Sequence, residues 1–487
     1  MKKPAPFHFK SASALARDLR SRKISAAELL DLCWQRVEAH NPKLNAVIYS
    51  DIVRARRAAE ASDRRLREGK ALGPLEGVPI TIKESFDWVG TPSTWGVTGY
   101  RDNIAQADAL AVRRLEQAGA VIFGKTNVPL MLADWQSFND IHGTTNNPWD
   151  VARSPGGSSG GSAVALATGM SALEIGSDIG ASIRNPAHYC GVYGHKPTFG
   201  IIPMRGHALP GIHASSDISV AGPLARSATD LKLAMDILAH PDTAEGEAVA
   251  YRLKRPRVRK WQELRVAVMT GDPVSEVDRA VEEQIGRLVS FLSPKVKSLS
   301  ATARPAFSTE DAWRVYIGLL RSATSRRQSD DEFAANAAKV AALRADDQSY
   351  VALMLRGYTM SHRDWLHLNN RRHEMMAAWQ EFFREYDVLL CPAAASAAFP
   401  HDHKGERHER TIIVNGRPVS TMDQLFWAGY SGVAYLPSTV APIGLTEEGL
   451  PIGVQIVAAR HEDLTSIAVA ALIERDYWSF RPPPGFP

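Results

Sequence analysis

An α/β fold is predicted, and three observations predict it. Short apolar runs of strand length alternate with amphipathic stretches of helix length through the first 240 residues. The same strand pattern returns after residue 386, up to a closing helix. Between the two lies a charged, mostly helical block from about 275 to 385, which has the look of an insertion.

Residues 11–20 and 25–39 read as capped helices. Ser25 precedes Glu28 by three residues, the capping-box spacing, and Leu29, Leu32, Cys33 and Val37 then share one face. Asn41-Pro42 is expected to stop the second helix. Residues 52–67 make a third, strongly charged helix, explained well enough as a solvated face packed on one side. Val78-Pro79-Ile80-Thr81-Ile82 is a short strand running into Lys83. Read alone, such a lysine is first of all a surface residue whose stem snorkels over apolar neighbours. Residues 107–118 form an amphipathic helix and 121–125 a strand.

Residues 163–169, small and apolar, read as a tightly packed helix. Further strands are expected at 190–196, 218–222, 264–269, 387–392, 439–441 and 454–457, with helices at 229–239 and 463–476. Residues 252–260 hold six Lys or Arg and read as a charged linker rather than a binding patch. His401, His403 and His408 stand in a polar loop without cysteine or carboxylate spacing, so they read as solvated rather than as metal ligands.

Composition narrows the function classes. The 487 residues are 45% hydrophobic and 23% charged, an ordinary soluble balance. Length suggests two to four domains, or one large enzyme unit with insertions. The 57 basic and 53 acidic residues leave +4, too even to argue for nucleic acid or an anionic membrane. Cys33, Cys190 and Cys391 are few, odd in number and far apart, which fits a reducing compartment better than a disulfide framework. No stretch approaches the roughly 18 apolar residues of a membrane helix. The opening Met-Lys-Lys-Pro-Ala-Pro has no apolar run after it, so no secretory signal is expected. A soluble, cytoplasmic protein follows.

Chemistry concentrates between Arg153 and Arg184. The stretch opens with Ser154-Pro155-Gly156-Gly157-Ser158-Ser159-Gly160-Gly161-Ser162 and closes with Gly176-Ser177-Asp178-Ile179-Gly180-Ala181-Ser182-Ile183-Arg184. Four glycines among the first nine residues let other groups approach the backbone closely. A flexible linker has similar composition, but seldom runs straight into a packed helix and a second Gly/Ser turn. A serine hydroxyl is a poor nucleophile until a base takes its proton. The only nearby histidine is His188, so nothing points to a histidine triad. A lysine serves instead if burial keeps it neutral, with a pKa of roughly 7–8. Lys83, after five mainly apolar residues, is the lysine best placed for that.

These residues resemble the amidase signature family. Gly156 to Ser162 and Asp178 to Arg184 look like the two halves of its signature. The similarity extends to Gly73–Ile80 with Lys83, to 119–129, 143–149, 191–198, Gly222–Ser227 and Leu450–Gln455, leaving the helical insertion unmatched. It implies a mixed central β-sheet flanked by helices on both faces. It also implies one amidase unit: an N-terminal helical region (1–70), the signature core (71–240), the insertion (241–385) and a C-terminal part completing the core (386–487).

The resemblance also implies roles. Ser182 aligns with the nucleophile, Lys83 with the general base, and Ser158 with the serine bridging them, on a cis peptide bond in the family. The N–H groups of Ile179, Gly180, Ala181 and Ser182 are implied as the oxyanion hole, and neither metal nor organic cofactor is required. Ala181 stands where the family commonly has glycine, so its backbone must accept a Cβ and its methyl is expected to narrow the acyl pocket. Glu84 replaces a common Asp. Arg184 and Asp178 read as structural.

Leu132, Ala133 and Trp135 follow the Asn127-Val128-Pro129 turn that leads into the family's pocket wall, and Phe426, Trp427 and Tyr430 form an aromatic cluster. Aromatic rows are commonly core, but if part of this one lines the cleft, an apolar or aryl amide fits better than a charged one. The small-molecule substrate is therefore expected to be such an amide, with a homodimer left open. Two further readings share the chemistry: a carbamate (urethane) or ester hydrolase, and the glutamine-hydrolysing subunit of a tRNA-dependent amidotransferase. A catalytically dead interaction protein fits least, because Lys83, Ser158 and Ser182 are all present.

Overall fold

The computed structural model describes residues 6–70 and 72–486; the opening run Met1 to Ala5, where no secretory signal is expected, lies outside the described residues. Local signals set most helix starts. Ser25 and Glu28 close a capping box on the helix Ala26–Leu44. Ser11, Ser227, Ser308 and Ser361 each accept the N–H three residues on.

The expected stop at Asn41-Pro42 is overturned. The helix continues to Leu44 and ends at Asn45, whose backbone is left-handed (φ 50°). Pro42 falls in the last turn, and the Asn41 side-chain oxygen accepts the N–H groups of Ala46 and Val47, which leads the chain into the strand Val47–Ser50.

Among the described residues an eight-stranded sheet runs in the order Ser298–Ser300, Arg265–Val268, Val388–Pro392, Pro451–Ala458, Ser438–Leu445, Tyr193–Lys196, Val220–Ala225 and Glu174–Asp178. The first three strands are parallel and each later neighbour is antiparallel, so the sheet is mixed. A three-stranded sheet of Val47–Ser50, Val121–Thr126 and Pro79–Lys83 lies against the Glu174–Asp178 edge. There the Thr81 N–H meets Ser171 Oγ at 2.9 Å, and the Thr81 hydroxyl donates to the Glu174 carboxyl group.

Helices cover both faces of the large sheet. Side chains alternate along a strand. Gln455 faces one way and meets Arg184 and the Trp427 carbonyl. Thr439, paired with the next residue Ile456, faces the other way and bonds Ser466 of the helix Asp463–Asp476.

Two glycine-rich segments differ from expectation. Gly176, Ser177 and Asp178, read as part of a turn, belong to the buried edge strand Glu174–Asp178; a Cβ at Gly176 would come within 2.7 Å of Ser159 Oγ, so the strand packs closely on that serine. The packed helix begins earlier than expected, spanning Gly160–Ala167, because Gly161 lets it settle onto the Asn127 backbone. The strand expected over 190–196 starts only at Tyr193, since Arg184–Cys190 is a helix ended by left-handed Gly191. Residues 279–385 contain the helices Arg279–Leu292, Thr309–Thr324, Asp330–Ala341, Tyr350–Tyr358 and His362–Glu385, while Ser298–Ser300 extends the large sheet.

Candidate active site

Lys83 ends a strand in which every residue is buried, and is itself 0% exposed, so it does not snorkel to the surface. Its Nζ lies 2.6 Å from Ser158 Oγ and 2.9 Å from Ser177 Oγ. Burial lowers its pKa to about 7, against the opposing pull of Asp178 and Glu84. A neutral amine is therefore available near neutral pH.

Ser158 precedes the helix Gly160–Ala167, and the Gly157–Ser158 peptide bond is cis. Ser158 and Ser182, almost fully buried, open onto one cavity of about 230 Å³. Among the described residues no hydrogen bond joins the two hydroxyls: the lysine–serine link is made, and Ser182 shares the cavity wall with it.

The loop from Ile179 to Ile183 is wrapped around a carboxylate. Asp178 accepts the N–H groups of Ala181 (3.0 Å) and Ile183 (3.1 Å) and pairs with Arg184 at 2.9 Å, both side chains buried. Burial opposes its charge, but Arg184 outweighs it and holds the carboxyl below its ordinary pKa. Arg184 reaches on to the Ala428 carbonyl, Ser431 and Gln455, tying the loop to the large sheet.

Two carbonyls of the loop are held by side-chain donors. Tyr316 Oη donates to the Ile179 oxygen (3.0 Å) and Trp135 Nε1 to the Gly180 oxygen (2.8 Å). In a trans peptide the N–H points opposite to its carbonyl, so the Gly180 N–H is directed away from Tyr316. Ala181 corrects the expectation of four free donors, because its N–H is engaged by Asp178. Its backbone is left-handed (φ 71°), and its methyl is buried and lines neither cavity, so it does not narrow a pocket.

A larger cavity of about 720 Å³ adjoins the first. Leu132, Ile179, Ser182 and Arg327 line both. Ala133 and Trp135 line the larger one. Trp427 does not: it is fully buried, edge-on to Phe426 with ring centroids 5.0 Å apart, and belongs to the core with Phe426 and Tyr430. His408 lines the larger cavity and His403 stacks on Phe138; among the described residues no three His, Cys, Asp or Glu converge as metal ligands would.

Three site residues carry no assignment from the sequence. Ser177 sits inside the quoted motif, and only its place on a strand edge beside Lys83 reveals it. Tyr316 and Arg327 come from the helical block, where no motif marked them.

Known proteins resemble this chain over most of its length. The amidase family model matches residues 28–466. An indoleacetamide hydrolase of Bradyrhizobium diazoefficiens is 33% identical over 473 residues, covering 95% of this chain and 86% of the relative. An acylamidase of Rhodococcus erythropolis is 31% identical, covering 96% of this chain and 95% of that one. The crystal structure of a bacterial aryl acylamidase of the amidase signature family superposes with a TM-score of 0.81 at 23% identity, covering 97% of this chain and 98% of the other.

Proposed function

This chain belongs to the amidase signature family and is an amidase, a hydrolase of carbon–nitrogen bonds, and from that premise we propose that Lys83, Ser158 and Ser182 carry out the hydrolysis on an amide with an apolar or aryl portion. Neutral Lys83 takes a proton from Ser158, Ser158 takes one from Ser182, and Ser182 Oγ attacks the carbonyl carbon. The N–H groups of Ile179, Gly180 and Ser182 face the developing oxyanion; losing one such donor typically costs about 2.7–4 kcal/mol in the transition state. The proton returns through Ser158 to the leaving nitrogen, and water then cleaves the acyl-serine ester by the same relay.

One observation carries the reading: a buried amine 2.6 Å from a serine whose cavity wall also holds the second serine. The apolar preference draws support from Trp95, Leu132, Met204 and Ile212 along the smaller cavity, and from relatives named for indoleacetamide and acylamide hydrolysis. The test compares turnover of an acetanilide with that of glutamine. Faster anilide turnover is expected; a preference for glutamine overturns the apolar assignment.

A further inference from the structure

We infer that the larger cavity receives a carboxylate borne by the substrate, an inference that rests on the amidase reading above. Arg321, Arg327 and Arg407 line that cavity. Arg321 is 5% exposed, and the other two are half-buried. The hydrogen bonds that these guanidinium groups make are to neutral oxygens: Arg321 to the Tyr350 hydroxyl, Arg327 to the Met131 carbonyl, Arg407 to the Ala133 carbonyl. The Nε atoms of Arg321 and Arg407 are buried with no partner. Among the described residues no carboxylate pairs with any of the three; burial and then the Arg326, Arg321 and Arg407 charges work against the charge on Arg327, with the Tyr358 phenol alone acting in its favour.

The acidic residues on the same wall are committed elsewhere. Asp134 pairs with Arg410 at 2.7 Å, Glu332 accepts the Ser329 N–H at the start of its helix, and Glu406 caps the turn Arg407–Glu409. The rings of Tyr350 and Tyr358, 5.4 and 5.8 Å from the Arg321 guanidinium, offset part of its burial. They supply no counter-charge. Gathering like charges in a half-buried space is unfavourable unless an anion joins them. A planar carboxylate matches the guanidinium fork, and an apolar group does not.

Placement makes this anion part of the substrate. Ser182 and Arg327 stand on the walls of both cavities. An amide whose carbonyl sits at Ser182 can keep its apolar portion in the smaller cavity and extend a carboxylate into the larger one. The expectation of an uncharged substrate is thereby narrowed to one side of the scissile bond.

The full-length enzyme is assayed on two pairs of amides. Glutaryl anilide carries the carboxylate on the acyl side and benzoyl-β-alanine on the amine side; each is compared with its neutral carboxamide counterpart. At least a tenfold advantage in kcat/KM for the carboxylate is expected in one pair, and that pair names the side. Arg327→Gln and, separately, Arg407→Gln should bring the ratio close to one, mainly through KM. A ratio taken within one variant does not depend on how much of it is folded. No carboxylate advantage in either pair, or an advantage that both variants retain, overturns the inference while leaving the amidase reading intact. If none of the amides is hydrolysed, the reading of the reaction fails instead, and the anion site is read by binding. Glutarate raising the thermal midpoint of the wild type but not of Arg327→Gln supports the site; no rise refutes it.

Discussion

At the scale of single residues, the candidate chemistry depends on keeping one amine dry. Lys83 is buried with two hydroxyls as its polar neighbours, and burial brings its pKa down to about 7. A base acts only in its unprotonated form. For Lys83 that form is lost as pH falls through about 7, so kcat/KM should rise with pH across this point in a stopped-time assay of a neutral amide. Ser182→Ala removes the attacking oxygen and should lower kcat by on the order of 10⁴-fold or more with little change in thermal midpoint. Lys83→Ala should be nearly as severe; residual activity within tenfold of the wild type would show that another group takes the proton.

At the scale of elements, the loop that presents Ser182 owes its shape to one buried ion pair. Asp178 collects two loop N–H groups and the Arg184 guanidinium, and Arg184 anchors the whole to Gln455. Asp178→Asn keeps the shape but leaves Arg184 charged and uncompensated, a loss of about 3–5 kcal/mol. Denaturant unfolding should show that loss, and kcat should fall as the loop relaxes. Elements read from local signals were found where caps and apolar periodicity act within a few residues, as in Ala26–Leu44 with its Ser25/Glu28 box. Elements misread were those set by distant partners. Glu174–Asp178 is a strand because Val220–Ala225 pairs with it, and its own glycine and serine carry no strand preference.

At the scale of the whole molecule, residues from separate parts of the chain converge on Ser182. The signature segment supplies Ser158 and Ser182, an early strand supplies Lys83, and the helical block supplies Tyr316 and Arg327. Among the described residues no helix is long and apolar enough to cross a membrane. Because one chain brings all these groups together, the purified protein should hydrolyse an amide without any added subunit; activity that appears only with a partner present, followed by size-exclusion chromatography, would restore the amidotransferase-subunit reading.

The sequence by itself determined the α/β class and the family, and it nominated the three residues of the proposed relay. The signature is contiguous, and serine, glycine and a strand-ending lysine announce themselves over short spans. Only the tertiary structure decided which neighbours those residues meet. Ser177 became a partner of Lys83, Ala181 gave its N–H to Asp178, Trp427 went into the core, and three arginines gathered in one cavity. Periodicity reports which face of an element is buried, whereas the contacts on that face are set by packing between segments it does not relate, as with Lys83 and Ser177.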